Sequence, residues 1–484
     1  MENPAKTHHV AILTSPGIGH TIPVIELGKR IISLQGFQVT IFITTSHSST
    51  AQSDLLQSPT LTEGLHRIIQ LPRTDISGLV PTDSSGVETS ISLTVRKSLP
   101  VLKSTIMAME HRPTVLIVDI FGTDAFDLAD ELGMLKYVFI TTTAKFTALT
   151  MYLPTLDKEI KGEYVDQKEP IQVPGCKPIQ IENLIDPMQE RKNDQYSSML
   201  HQASRYPMAH GILINTCEEL EPIPVRALKE NPILQQIPTP SVYPVGPLTR
   251  YAESSVSEDK CLDWLNKQPS KSVLFVSFGS GGTLSAEQIT ELAWGLELSQ
   301  QRFLWVVRAP TIKERSGTYF TSGSGGGDPS DYLPEGFLSR TLGVGLVVPS
   351  WCPQLEILKH QSIGGCLSHC GWNTTLESIV NGVPLITWPL FAEQRLNASM
   401  LTEDIGVAIR PATWPTKELV GRTEIEKMVR LMMEEVEGNP WRVRAKELKN
   451  SVLGALDEGG SSHKSLLEVA KQWKASYSPF PPVV

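Results

Sequence analysis

The first half of the sequence alternates short apolar segments with amphipathic ones. Residues 9–14, 115–118 and 136–140 are predominantly apolar and too short for helices, which indicates strands buried within a sheet. An amphipathic helix is predicted at 23–34, with proline in its first turn and Gly36 beyond its end. Strands that alternate with helices in this way form parallel sheets packed between helices. The pattern therefore predicts an α/β fold with doubly wound, parallel sheets.

A second series of the same kind begins after residue 260. Strands are predicted at 272–278 and 303–308, with a helix at 286–300 between them. A chain of 484 residues is also too long for one simple core. We therefore predict two facing Rossmann-like domains with a cleft between them. The predicted segments are 1–248 for the N-terminal domain, 249–260 for a polar linker, 261–460 for the C-terminal domain, 461–484 for a final helix and tail, and 322–327 for a Gly/Ser-rich loop.

Composition and charge argue against several kinds of partner. The net charge of −9 disfavours a nucleic-acid-binding protein, which needs a basic face. No apolar run reaches the roughly 18 residues of a membrane span, and the N-terminus lacks the long apolar region of a signal peptide. The six cysteines are scattered without the spacing of a disulfide framework, which fits a reducing compartment. We expect a cytoplasmic protein without a membrane span, and nothing in the sequence requires more than a monomer.

The greatest concentration of unusual residues lies between Trp351 and Gln394. A short strand is predicted at 364–368, and a helix that ends at Gly382 follows it, with residues 373–375 in its first turn. The free backbone N–H groups of a first helical turn, together with the helix dipole, attract anions. Asparagine, threonine and histidine side chains add further donors here, so the turn is suited to a diphosphate.

Two positions in this segment are suited to sugars. Glu377 lies one turn inward from Asn373, where a carboxylate, which only accepts hydrogen bonds, suits a ribose diol. Glu393 and Gln394 come just after the next predicted strand, 384–388. A neighbouring carboxylate and amide can bind several sugar hydroxyls between them. The segment therefore predicts a nucleotide-sugar site.

More ordinary explanations of the same residues must be weighed. Glycine–helix junctions occur throughout α/β proteins, and Trp351 and Trp372 could be core residues. Cys366, His369 and Cys370 could suggest a metal site. Such a site needs a fourth ligand and a second cysteine–histidine cluster, and the sequence offers none nearby. We therefore predict no metal.

A candidate catalytic pair lies in the first half of the chain. His20 follows the first predicted strand on a glycine turn, and Asp119 directly follows the strand at 115–118. If the strands are parallel, both side chains lie at the sheet edge where α/β proteins bind ligands. A histidine there can take a proton from a hydroxyl, while a carboxylate on its other nitrogen fixes the tautomer. A histidine on a glycine turn is also often structural, so the pair alone does not decide the function.

Together these motifs resemble those of the plant secondary-product UDP-glycosyltransferases (glycosyltransferase family 1). Segment 351–394 is similar to the family's donor-binding signature, and residues 275–282, 245–248 and 15–20 also match its pattern. Residues 118–127 resemble the subgroup that glucosylates simple phenols such as hydroquinone and monolignols. The resemblance implies the GT-B architecture, with an acceptor-binding N-terminal domain, a UDP-sugar-binding C-terminal domain and a final helix that returns onto the N-terminal domain.

The resemblance also implies roles for the matching donor-site residues. Trp351 would stack on the uracil, with the Gln354 side chain and the Cys352 backbone at its edge, and Glu377 would bind the ribose. Gly371 would belong to the same site. The two phosphates would be held by Ser280, His369, Trp372 (through its backbone), Asn373 and Thr374.

By the same resemblance, Glu393 and Gln394 would hold the hexose, and glutamine at the second position accompanies glucose preference. Thr142, within 141–143, is a candidate contact to the sugar. The apolar candidates for the acceptor pocket are equally consistent with ordinary core packing. They are Ile18, Phe121, Phe146 and Phe391.

The sequence thus predicts an inverting, metal-independent glucosyltransferase without a cofactor. It would use UDP-glucose as co-substrate and a phenolic hydroxyl of the hydroquinone, monolignol, coumarin or flavonoid type as acceptor, giving a β-glucoside. Another UDP-sugar, or a terpenoid or hormone acceptor, is the main alternative. A nucleotide-dependent oxidoreductase and a non-catalytic UDP-sugar-binding protein are more distant ones. An oxidoreductase of this kind is disfavoured, because its dinucleotide-binding motif has a third glycine where this chain has Ile22.

Overall fold

The computed structural model describes residues 8–45, 64–76, 79, 86–237, 240–250, 259–310, 328–434 and 438–475. Most of the predicted linker and the Gly/Ser-rich loop lie outside these residues. The described chain forms two sheets of parallel strands, with buried apolar clusters against their faces. This arrangement confirms the predicted α/β fold with two Rossmann-like domains.

The N-terminal sheet has seven strands within the described residues. In chain order they are β1 (His8–Thr14), β2 (Phe37–Ile43), β3 (Arg67–Gln70), β4 (Val115–Asp119), β5 (Leu135–Ile140), β6 (Gly211–Ile214) and β7 (Ser241–Pro244). Among the residues that the structure describes, the helices of this domain are α1 (Ile18–Ser33), α2 (Val87–Met107), α3 (Phe126–Glu131), α4 (Ala144–Glu159), α5 (Asp194–Arg205), α6 (Pro222–Glu230) and α7 (Pro232–Gln236). The spatial order is β3-β2-β1-β4-β5-β6-β7, so β1 pairs with β2 on one side and with β4 on the other. Ligands bind beyond the carboxyl end of the strand where the order reverses, here β1.

The central strands are buried on both faces. In β4, Leu116 and Val118 belong to one apolar cluster, and Val115 and Ile117 belong to the cluster on the opposite face. Full burial of one such side chain contributes about 1.5–3 kcal/mol. Coverage of both faces explains why these strands are continuous apolar runs and not alternating ones.

Helix α1 begins earlier than predicted. It starts at Ile18, directly after Gly17, whose φ of 110° suits glycine. Pro23 was predicted in the first turn of this helix but lies inside it. Because proline has no backbone N–H, the carbonyl of Gly19, four residues earlier, loses its helical donor. The Asn373 side chain of the other domain donates to that carbonyl at 3.1 Å, a long-range contact that local sequence could not reveal.

The C-terminal sheet has six strands in the part of the chain that the structure describes. In chain order they are β8 (Val273–Ser277), β9 (Arg302–Val307), β10 (Gly345–Pro349), β11 (Ile363–Ser368), β12 (Leu385–Thr387) and β13 (Ala408–Ile409). The helices are α8 (Lys260–Leu265), α9 (Ala286–Ser299), α10 (Phe337–Arg340), α11 (Gln354–Lys359), α12 (Trp372–Asn381), α13 (Gln394–Ser399), α14 (Arg422–Met433), α15 (Pro440–Leu456) and α16 (Ser461–Ala475). The spatial order is β10-β9-β8-β11-β12-β13. In the part of the chain that the structure describes, no helix is both long and apolar enough to cross a bilayer.

Helix α16 lies against the N-terminal sheet. The indole of Trp473 packs edge-on against the rings of Phe37 and Tyr137, with ring centroids 5.8 and 5.6 Å away. The Ser462 hydroxyl donates to the Gly246 carbonyl at 2.5 Å. The end of the described chain is therefore part of the N-terminal core.

Candidate functional site

A cavity of about 910 Å³ lies between the two domains, at the carboxyl ends of strands from both sheets. Every site residue predicted from the sequence lines it except Asp119, which is fully buried. From the N-terminal domain these residues are Ile18, His20, Phe121, Thr142 and Phe146. From the C-terminal domain they are Ser280, Trp351, Cys352, Gln354, His369, Gly371, Trp372, Asn373, Thr374, Glu377, Phe391, Glu393 and Gln394.

His20 and Asp119 form a pair at the carboxyl ends of β1 and β4. His20 Nδ1 lies 3.3 Å from Asp119 Oδ2. The carboxylate also accepts hydrogen bonds from the Ser15 N–H at 2.7 Å, the Ser15 hydroxyl at 2.5 Å and the Phe121 N–H at 3.2 Å. These donors fix the position of the buried carboxylate, so that it orients the imidazole. Sequence reasoning missed Ser15, although its place at the end of β1 was a usable signal.

The three consecutive threonines have separate partners. The Thr141 hydroxyl lies 3.4 Å from His20 Nδ1, and the Thr142 hydroxyl donates to Glu393 Oε1 at 3.2 Å. The Thr143 hydroxyl accepts from the Phe146 N–H and caps α4. Thr142 is therefore the threonine that joins the two domains beside Glu393.

Trp351 and Glu377 lie in the C-terminal wall of the cavity. The Trp351 side chain is 70% exposed, so it is a flat apolar platform and not a core residue. Glu377 is buried, and its Oε2 accepts from the Gln354 amide at 2.6 Å. The same amide nitrogen donates to the Thr374 hydroxyl at 3.1 Å. Burial raises the pKa of Glu377, and the Gln354 hydrogen bond opposes that shift.

His369 is enclosed between two glycines. A Cβ atom at Gly279 would lie 2.5 Å from His369 Cε1, and one at Gly371 would lie 2.4 Å from His369 Nε2. Burial, with the nearby Arg308 guanidinium, lowers the pKa of His369 to about 4, so the ring is neutral near pH 7. Its buried Nδ1 has no partner among the described residues. The neutral ring can therefore offer a hydrogen bond to a ligand.

Arg308, which sequence reasoning missed, fixes the loops around that histidine. Its guanidinium donates to the Gly279 carbonyl at 2.6 Å and to the Ser350 carbonyl at 2.8 Å. It follows the last residue of β9, at the same edge of the sheet. Its position at the end of a predicted strand was the only indication in the sequence that it belongs near the site.

The start of α12 touches the N-terminal domain. The Trp372 indole N–H donates to the Asn215 carbonyl at 2.7 Å, and this side chain is buried. The Trp372 side chain is therefore a buried contact between the two domains. Asn373, through the Gly19 carbonyl, makes the second contact between the domains at this helix end.

Glu393 and Gln394 lie at the other end of the cavity. Gln394 Oε1 accepts from the Leu390 and Phe391 N–H groups at 2.9 and 3.1 Å, which leaves its NH₂ group for a ligand. Glu393 Oε1 accepts from Thr142 and from the Asn397 amide, both at 3.2 Å. Burial raises the pKa of Glu393, and these hydrogen bonds oppose the shift.

Asp186 holds the loop that carries this pair, and sequence reasoning missed it too. Its N–H donates to the Ala392 carbonyl at 3.0 Å, and its carboxylate accepts from the Ala392 N–H at 2.8 Å. Arg395 pairs with the same carboxylate. Ala392 has a φ of 56°, a conformation that non-glycine residues seldom adopt. The N-terminal domain thus helps to hold this loop, and nothing local in the sequence predicted the contact.

The metal alternative finds no support in the geometry. Among the residues described, no group of three or more histidine, cysteine or acidic side chains is arranged to hold a metal ion. Cys366 and Cys370 are buried thiols, and burial raises the pKa of Cys370 to about 12. Both therefore stay protonated near neutral pH and belong to the packed core.

This chain is similar in sequence and structure to known proteins. Residues 257–421 match the family described as UDP-glucoronosyl and UDP-glucosyl transferase. The chain is 50% identical to anthocyanidin 3-O-glucosyltransferase 5 of Manihot esculenta, over 97% of this chain and 96% of that protein. The chain belongs to the plant UDP-glycosyltransferases. It is also 48% identical to the hydroquinone glucosyltransferase of Rauvolfia serpentina, over 98% of this chain and 99% of that protein.

The structure agrees with that membership. It matches the crystal structure of TcCGT1 in complex with UDP with a TM-score of 0.91, at 49% identity, over 97% of this chain and 100% of the other. The two facing Rossmann-like domains are the GT-B architecture predicted from the sequence. This UDP-glycosyltransferase is therefore an enzyme that uses a UDP-sugar, and the oxidoreductase alternative is wrong.

The enclosure of His369 in this UDP-glycosyltransferase gives a testable prediction. Gly279 has a φ of 71°, so Gly279→Ala would strain the backbone and displace the imidazole. We expect a loss of unfolding free energy of about 1–2 kcal/mol and weaker UDP binding. Urea unfolding and calorimetric titration with UDP would measure both. Gly454→Ala is the matched control, because a Cβ there meets nothing within 4 Å; an unchanged UDP affinity in Gly279→Ala would contradict the prediction.

Proposed function

We propose that this UDP-glycosyltransferase transfers glucose from UDP-glucose to a hydroxyl of a small phenolic acceptor and inverts the anomeric configuration. The observation that carries the proposal is one cavity that contains both the His20–Asp119 pair and the Glu393–Gln394 pair. Two relatives support the choice of sugar and acceptor. One is an anthocyanidin 3-O-glucosyltransferase and the other a hydroquinone glucosyltransferase.

His20 acts as the general base. Asp119 occupies its Nδ1 side at 3.3 Å, so Nε2 is the nitrogen left to take the proton from the acceptor hydroxyl. The acceptor oxygen attacks the anomeric carbon as the bond from that carbon to the diphosphate breaks. The electron pair leaves with UDP, and an α-linked donor gives a β-glucoside. The charge on Asp119 stabilises the imidazolium that forms.

The donor would bind along the C-terminal wall. Trp351 stacks on the uracil, with Gln354 and the Cys352 backbone at its edge, while the free oxygen of Glu377 accepts from the ribose. The phosphates are bound by the neutral His369, Ser280, Thr374 and the backbone at the start of α12. Glu393 and the NH₂ group of Gln394 hold the hexose, beside Thr142.

Stabilisation of the leaving diphosphate is assigned to these protein donors and not to a metal ion. The start of α12 and the His369 ring supply hydrogen bonds where the negative charge develops. Arg308 holds the surrounding loops through two carbonyls. We infer activity without added metal, by a monomer in the cytoplasm, with residues 1–248 as the acceptor domain and 261–460 as the donor domain.

The acceptor would lie between His20 and the apolar N-terminal wall. Phe121 is tilted against the His20 ring with centroids 5.3 Å apart, and both line the cavity. Ile18, Phe146 and Phe391 line the same cavity and can cover an aromatic ring. A phenol suits this wall, because its aromatic ring can pack against these apolar side chains while its hydroxyl lies beside His20.

Mass spectrometry of product tests the proposal. The purified protein is incubated with UDP-glucose, UDP-galactose or UDP-xylose and with hydroquinone, coniferyl alcohol, scopoletin or a flavonol, with and without EDTA. We expect one hexose added to a phenol from UDP-glucose, unaffected by EDTA, and an NMR coupling constant typical of a β-glucoside. Greater transfer from another UDP-sugar would contradict the assignment of glucose. Loss of activity in EDTA would contradict the metal-free mechanism.

A further inference from the structure

We propose that Glu88 selects the acceptor by hydrogen bonding to a second, neutral hydroxyl, distinct from the one that is glucosylated. This inference rests on the proposed function and adds to it a substrate class, phenols that carry a second polar group without charge. Glu88 is the second residue of α2, and it lines the same cavity as His20.

The first argument is the position of Glu88 in the cavity wall. Ile91, one turn further along α2, lines the cavity as well, as do Ile120 and Met199. Glu88 thus places a carboxyl group within a largely apolar part of the N-terminal wall. An aromatic acceptor that fills this part of the cavity brings its substituents to that wall.

The second argument is that the protein leaves the Glu88 carboxyl unused. Among the described residues it forms no hydrogen bond and no ion pair. In contrast, Glu377 accepts from Gln354, and Glu393 accepts from Thr142 and Asn397. Its electrostatic neighbours in the cavity are Asp186 and Glu393, which are themselves acidic. A carboxyl group that lines the cavity without a protein partner is available to form a hydrogen bond with a ligand.

The third argument concerns charge. Burial, followed by the repulsion of Asp186 and Glu393, raises the pKa of the Glu88 carboxyl well above its ordinary value. The raised pKa favours the uncharged acid, which, like a hydroxyl, can donate one hydrogen bond and accept another. The same acidic neighbours repel a carboxylate. The site therefore suits an alcohol or a second phenol and disfavours a phenolic acid.

The experiment compares three acceptors with the same ring and side-chain skeleton. Isoeugenol has no terminal oxygen, coniferyl alcohol ends in a hydroxyl, and ferulate ends in a carboxylate. For the wild-type enzyme we expect kcat/KM for the phenolic hydroxyl of coniferyl alcohol to exceed that of isoeugenol about tenfold, the effect of one hydrogen bond of about 1.4 kcal/mol. We expect ferulate to be the poorest of the three.

Two variants separate recognition from folding. Glu88→Leu should lower kcat/KM for coniferyl alcohol about tenfold, leave isoeugenol unchanged and bring their ratio near one. Glu88→Gln, which still donates and accepts, should keep most of the preference. Glu110→Leu removes an exposed carboxylate outside the cavity and is the matched control. The KM for UDP-glucose should be the same in all of them.

Several outcomes would overturn the inference. If Glu88→Leu lowered kcat/KM equally for coniferyl alcohol and isoeugenol, the role of Glu88 would be structural. A raised KM for UDP-glucose would instead place Glu88 in the donor site. Ferulate as the best acceptor of the wild type would contradict the charge argument. If the wild type glucosylated none of the three acceptors nor any other phenol, the proposed function itself would fail, which is a different result from an unchanged ratio.

Discussion

Replacing His20 with alanine is expected to abolish transfer to phenols while the affinity for UDP barely changes. The imidazole is the only base that the proposed mechanism uses, and Asp119, held by Ser15, is too deeply buried to replace it. A positioned general base contributes about 10²- to 10⁴-fold to rate, so kcat should fall by at least two orders of magnitude. Product formation measures kcat, and calorimetric titration measures the UDP dissociation constant.

A second histidine provides the control for this experiment. His66 is exposed and does not line the cavity, so His66→Ala should keep wild-type activity. Unchanged turnover in His20→Ala would remove His20 from the mechanism. A large loss of UDP affinity in the same variant would instead indicate that the substitution disturbed α1 and its contact with Asn373.

Replacing Glu393 with alanine is expected to weaken UDP-glucose far more than UDP. In the proposed complex its carboxylate accepts hydrogen bonds from hexose hydroxyls, which UDP lacks. Hydrogen bonds to a charged group contribute about 1.5–3 kcal/mol, which corresponds to a loss of roughly 10- to 100-fold in affinity for UDP-glucose. Titrations with UDP and with a non-hydrolysable UDP-glucose analogue would measure the difference.

The structure also defines what would contradict this second prediction. Glu393 accepts hydrogen bonds from Thr142 and Asn397, so the alternative role for its carboxylate is to hold the two domains together. Equal weakening of UDP and the analogue would assign it that structural role. Glu403→Ala is the control, because Glu403 is exposed and does not line the cavity.

The sequence predicted the fold well because the fold depends on local patterns. Apolar runs such as β4 and the amphipathic helices between them are enough to indicate parallel sheets covered by helices. The predicted start of α1 was wrong for a physical reason. Pro23 is tolerated inside the helix because the carbonyl it leaves unpaired accepts from Asn373, which is 354 positions away in the sequence.

The candidate site was predicted to the extent that its residues belong to compact motifs. Trp351, Glu377 and Glu393 occur within one segment, and all three line the cavity. Ser15 and Arg308 were missed because they support other groups and not the ligand, through contacts that only the folded chain brings together. For the same reason the sequence could not distinguish the exposed Trp351 from the buried Trp372.

The position of α16 has a consequence for building hybrid enzymes from two relatives. Although it comes last in the chain, Trp473 packs between Phe37 and Tyr137, and Ser462 bonds to Gly246. A chimera made with a single junction in the linker would therefore join the N-terminal sheet of one parent to the closing helix of the other. Exchange of acceptor specificity needs two junctions, so that residues 461–475 travel with the N-terminal half whose core they complete.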